Sequence, residues 1–116
     1  MVNSRAKGKR GELEARDQVR EHWTSPKCIR AAQANGAFSA DLLNALPDTH
    51  VEVKRRKRVA ATDYLIQALT DKEDHEIPVV LMREDNRPEW VVMFYLRDTD
   101  DFVQRYISNI CEQESE

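Results

Sequence analysis

Hydrophobic positions in this chain recur with two different periods, and the change of period marks out the elements. In residues 4–23, Leu13, Arg16, Val19 and Trp23 fall on one side at helical spacing. Ser4 is a natural N-cap and Thr24-Ser25-Pro26 a stop, so this stretch is expected to be a helix. Residues 28–32 are short and β-compatible, Asn35-Gly36 signals a turn, and residues 41–45 form a second short strand around Leu42 and Leu43. Leu46-Pro47-Asp48-Thr49 turns the chain into residues 50–56, where Val51 and Val53 alternate with Glu52 and Lys54 as in a strand.

The second half returns to helical spacing. Thr62 can cap a helix reaching about Lys72, with Leu65, Ala68 and Leu69 as its apolar stripe. Residues 77–82 are expected as a buried strand, 84–89 as a polar turn, and 90–96 as another apolar strand. Asp98 or Thr99 can cap a last helix whose apolar side is Phe102, Val103, Tyr106, Ile107 and Ile110. Residues 1–3 and the acidic tail 112–116 are expected to fray. The order α-β-β-β-α-β-β-α predicts an α/β fold, a mixed central sheet flanked by helices.

Composition narrows the class. A chain of 116 residues, 41% hydrophobic and 34% charged, is expected to form one globular domain over 1–116. Its longest uncharged apolar run, 90–96, is far short of the ~20 residues of a membrane helix, and Met1-Val2-Asn3-Ser4-Arg5 leads into charge rather than a signal peptide. A soluble intracellular protein is expected, with no membrane partner. Cys28 and Cys111 lack metal-binding or redox spacing and are expected as two buried or half-buried thiols, and the three histidines form no ligand pair. The charge is unevenly spread. Residues 1–58 hold 13 Lys+Arg against 7 Asp+Glu, net +6, and residues 59–116 hold 5 against 14, net −9. A basic half of that size fits a polyanionic partner on one face, unless the fold interleaves the charges and cancels them.

The chemistry centres on the middle strand. Glu52 and Lys54, two apart, share one face. On an antiparallel strand that face is ordinarily just solvated. Asp41 changes the picture, because a hairpin between the two strands brings it close to Glu52. Paired carboxylates repel unless one is protonated or a cation lies between them, and hard oxygen ligands favour Mg²⁺ or Mn²⁺. A neighbouring lysine can then hold a phosphate or orient a water. Glu12 lies two turns before Val19 and three before Trp23, on the expected inward face of the first helix, whereas Glu14 points elsewhere. Lys7, Lys9 and Arg10 precede Glu12, and Arg55, Arg56, Lys57 and Arg58 follow Lys54, so two basic segments flank the same carboxylates and suit a phosphodiester backbone. Gln67, one turn beyond Tyr64, is by spacing an ordinary surface residue.

Asn3 to Glu12, Asp41-Leu42-Leu43, His50-Val51-Glu52-Val53-Lys54-Arg55, Gln67-Ala68 and Ile77-Pro78-Val79-Val80 together form a pattern reaching to about Phe102. In that order they resemble the small phage-encoded PD-(D/E)XK endonucleases related to Holliday-junction resolvases. The resemblance implies a restriction-endonuclease-like fold and Mg²⁺- or Mn²⁺-dependent hydrolysis of DNA, branched or duplex, without a small-molecule cofactor. It implies Glu12, Asp41 and Glu52 as metal ligands, Lys54 as the catalytic lysine and Gln67 as a supporting residue. It also implies a homodimer if the substrate is a four-way junction, and the host bacterium's cytoplasm if the chain is phage-encoded. Ala40 stands where the name-giving motif has proline, and Ala34-Asn35-Gly36-Ala37-Phe38-Ser39 where relatives are richer in glycine. The rival expectations are a non-catalytic nucleic-acid-binding module on the same fold and an interaction protein working through its acidic half.

Overall fold

The computed structural model describes residues 4–31, 40–57 and 60–115. The element order matches the expectation: α1 (Ser4–His22), β1 (Ile29–Arg30), β2 (Leu42–Leu43), β3 (Thr49–Arg56), α2 (Ala61–Asp71), β4 (Ile77–Glu84), β5 (Val91–Met93) and α3 (Thr99–Ser115). The five strands form one mixed sheet in the order β1-β2-β3-β4-β5. β3 and β4 run parallel, joined through α2, and the other neighbours are antiparallel. Among the described residues no helix is long and apolar enough to cross a membrane.

The central strands are covered on both faces. Val51, Val53, Val79 and Leu81 pack against Ala15 and Val19 of α1, while Val80 and Met82 pack against Leu65 and Ala68 of α2. Strand 50–56 is therefore not half-solvated: parallel pairing through a helical crossover buries its polar face too, and His50 and Glu52 are only 2% and 4% exposed. In register, Glu52 lies beside Val80 and Lys54 beside Met82, which puts both on the α2 face.

Several boundaries shift for local reasons. Ser4 is the first residue of α1 rather than its cap, and the buried stripe of that helix is Gly11, Ala15 and Val19, with Leu13 and Arg16 only half-buried. β2 stops at Leu43 because Asn44 takes a left-handed conformation (φ 61°), which asparagine tolerates. α2 starts after Ala60 with no side-chain cap, so Thr62 lies within its first turn. The strand expected over 90–96 shrinks to Val91–Met93, and Leu96, 89% exposed, opens a short 3₁₀ turn (Leu96–Asp98) leading into α3. α3 continues to Ser115 rather than fraying from Glu112, since Glu, Gln and Ser extend a helix and no Gly or Pro ends it. Its inward side is also rotated. Phe102 sits between Trp23 and Phe94, and Asn109 is buried, donating to the carbonyls of Trp23 and Thr24 and to Ser25 Oγ, while Val103 and Ile107 face solvent. The Asn35-Gly36 turn lies outside the described residues.

Candidate functional site

The hairpin register decides where the acidic residues meet. Leu42 pairs with Val51, and the Asp41 N–H donates to Val51 O, so Asp41 stands opposite Glu52. Asp41 Oδ2 accepts the Val53 N–H at 2.8 Å, which ties its carboxylate to the strand that carries Glu52 and Lys54. The two carboxyls are near enough for each to act directly on the other's proton affinity. Burial, and then the neighbouring Glu52 charge, push Asp41 up to about 7, against the pull of the Val53 N–H. Burial acts to raise Glu52 as well, but hydrogen bonds from His50 and Asp41 outweigh it and hold Glu52 below its ordinary value. As pH falls, the raised Asp41 therefore takes up a proton before the lowered Glu52 does.

His50 completes this arrangement, and the sequence reading gave it no role. Two residues before Glu52 on the same strand face, its Nε2 donates to Glu52 Oε1 at 2.7 Å. Burial acts to lower its proton affinity, but the Glu52 hydrogen bond and charge, with Glu76 and Asp71, raise it above the ordinary value. The period of two that linked Glu52 to Lys54 links His50 to Glu52 equally well.

Glu12 reaches the pair through its charge. It is half-buried, with Oε2 3.2 Å from Arg30 Nε. Burial raises its pKa, Arg30 opposes, and the Glu52 and Lys54 charges both act on it. Lys54 extends along the same face with its ammonium 5.5 Å from the centroid of the Tyr64 ring. Gln67, one turn on from Tyr64, is exposed and makes no hydrogen bond to these carboxylates. Glu12, Asp41, Glu52 and Lys54 are therefore brought together, and Gln67 is not.

The donor set suits a small hard cation in part. Among the described residues no three His, Cys, Asp or Glu side chains are grouped so as to hold a metal ion, so Glu12 does not complete a three-ligand cage. Two adjacent carboxylates, here a buried Glu52 and a half-buried Asp41, are nevertheless the protein share that Mg²⁺ commonly takes, with water and substrate phosphate supplying the rest. Asp41 and Glu52 fit that role.

The basic residues divide into two groups. Lys7 is paired with Asp85, and Arg55 donates to Glu14 Oε2 at 2.7 Å, while Arg83 donates to Glu14 Oε1 at 2.6 Å. This network fastens α1 to β3 and β4, so Lys7 and Arg55 meet carboxylates of their own chain instead of projecting as bare cations. Glu14, expected to point away, is its hub. Lys9, Arg10, Arg56 and Lys57 are exposed, and Arg58 lies outside the described residues. Cys28 is a buried thiol, pushed up to about 11 by burial, whereas Cys111 is exposed, contrary to the expectation of a buried or half-buried thiol, because it lies on the outer side of α3.

Comparison with family models, characterised proteins and solved structures finds no match for this chain.

Proposed function

We propose that this chain is a metal-dependent DNA endonuclease with a restriction-endonuclease-like α/β core, hydrolysing phosphodiester bonds. The observation that carries the reading is the Asp41–Glu52 pair: a half-buried carboxyl set opposite a buried one across the hairpin and tied by its Oδ2 to the Val53 N–H, with Lys54 two residues on along the same strand face. Once both carboxyls are ionised, such a pair stores repulsion that a divalent cation relieves, and a binding module for DNA gains nothing from acids placed toward phosphate. Asp41 and Glu52 would hold Mg²⁺ or Mn²⁺, which supplies a Lewis acid at the scissile phosphate. Lys54 holds the phosphate or orients the attacking water, its ammonium lying over the Tyr64 ring. Glu12, held by Arg30, adds negative charge at the edge of the site. Lys9, Arg10, Arg56 and Lys57 offer exposed cations to the DNA backbone, a role that carries no base specificity.

The test is cleavage of matched linear, nicked and four-way-branched DNA with Mg²⁺, which also sorts the substrate. Lys54→Ala and Asp41→Asn are each expected to abolish cleavage while retaining DNA. Wild-type rates in either variant would sink the assignment, and DNA retention without cleavage by the unaltered protein would favour the non-catalytic binder.

A further inference from the structure

His50 is 2% exposed on the central strand β3, beside Pro78 of β4 in register, where an aliphatic side chain would fill the volume at no polar cost. Both of its ring nitrogens face acids. Nε2 donates to Glu52 Oε1 at 2.7 Å, and Nδ1 lies 3.7 Å from Glu76 Oε1. Glu76 is itself fixed, since the same oxygen accepts the Glu73 N–H at 2.8 Å. A chain of polar groups therefore runs from the surface at Glu76 through the imidazole to Glu52 and on to Asp41. With Oε1 held by the ring, the Glu52 carboxylate cannot turn freely, and its other oxygen is presented in one orientation.

We propose that His50 is a positioning residue of the Asp41–Glu52 centre, holding the Glu52 carboxylate in the orientation that takes a divalent cation, with Glu76 steadying the ring from behind. This rests on the metal-dependent reading above and adds to it the group that orients one ligand. Partners that hold a ligating carboxylate in this way are typically worth about 10- to 100-fold in metal affinity or activity. A histidine retained only to fill the core would contribute nothing to metal binding.

The experiment measures Mn²⁺ binding to the DNA-free protein by electron paramagnetic resonance of the free ion, alongside cleavage over a Mn²⁺ series. Wild type is compared with Asp41→Asn, His50→Leu and His50→Gln, whose amide can still donate to Glu52. His50→Leu is expected to weaken Mn²⁺ binding about 10- to 100-fold and to shift the Mn²⁺ needed for half-maximal cleavage by the same factor. His50→Gln is expected to recover most of that loss. Should His50→Leu fail to fold, His50→Asn, polar but too short to reach Glu52, takes its place with the same expectation. Wild-type binding that Asp41→Asn abolishes but that His50→Leu or His50→Asn leaves within twofold overturns the role of His50 alone. Wild-type protein with no Mn²⁺ binding that depends on Asp41 overturns the metal-dependent reading beneath it.

Discussion

Asp41→Asn keeps the shape of the side chain while deleting the charge that Glu52 opposes, and its effect on stability has a calculable pH dependence. In the unfolded chain Asp41 takes its proton near the ordinary value of 3.8, and in the folded protein near 7. Between those values the folded state holds one more proton than the unfolded state, so stability falls as pH rises. This contribution is fully present below 3.8 and gone above about 7. Over the whole range it amounts to roughly 4 kcal/mol, at about 1.36 kcal/mol for each tenfold change in proton affinity. From pH 5 to pH 8 wild type should lose roughly 2.5 kcal/mol of it, and Asp41→Asn none. His50, raised in the fold, also loses stabilisation as pH rises, but it is present in both proteins and largely cancels in their difference. Glu52, lowered in the fold, loses its contribution only as pH falls below its ordinary value, at the acid end outside this range. Urea unfolding followed by circular dichroism in chelator at pH 5, 6, 7 and 8 measures the difference. With a denaturant slope of about 1–3 kcal/mol per molar, the wild-type midpoint should move down by about 0.8–2.5 M relative to the variant. Adding Mg²⁺ at pH 8 should raise the wild-type midpoint by mass action and leave Asp41→Asn nearly unmoved. Parallel pH curves for the two proteins would refute the buried-pair argument, and an equal response to Mg²⁺ would refute the site.

Gly8→Ala meets no atom within 4 Å and should stabilise α1 by about 0.5–1 kcal/mol. Gly11→Ala puts a methyl 3.0 Å from Arg55 Cβ on the central strand and should cost about 1 kcal/mol net, so opposite signs in thermal unfolding check how closely α1 approaches β3. Neutralising Lys9, Arg10, Arg56 and Lys57 should flatten the log-affinity against log-salt slope by up to about 0.9 per lost duplex contact, and an unchanged slope would remove them from the DNA surface. Asn109→Ala, which strips a buried amide from the Trp23–Ser25 turn, should cost about 1–3 kcal/mol in chemical denaturation, and a neutral result would show that the turn does not depend on α3.

Periodicity alone was enough to order the elements, because helices and strands repeat their apolar positions at 3.6 and 2 residues whatever they pack against. The closeness of Asp41 to Glu52, and the shared face of Glu52 and Lys54, were likewise legible, since one turn and one strand separate them in the chain. What lay beyond the sequence depended on distant partners. Strand 50–56 looks half-exposed by its own alternation, and only its parallel pairing with β4 and the cover of α2 bury Glu52 and His50 and so perturb their protonation. The face of α3 was misjudged because a buried Asn109 served by Trp23, Thr24 and Ser25 outweighs the apolar count of Val103 and Ile107. Lys7 and Arg55 looked like free cations until the fold brought them to Asp85 and Glu14, in pairings 78 and 41 residues apart in the chain. Charge belongs to the residue, but whether it faces solvent or a counter-charge is set by contacts between residues far apart in sequence, and those exist only once the sheet and helices have packed.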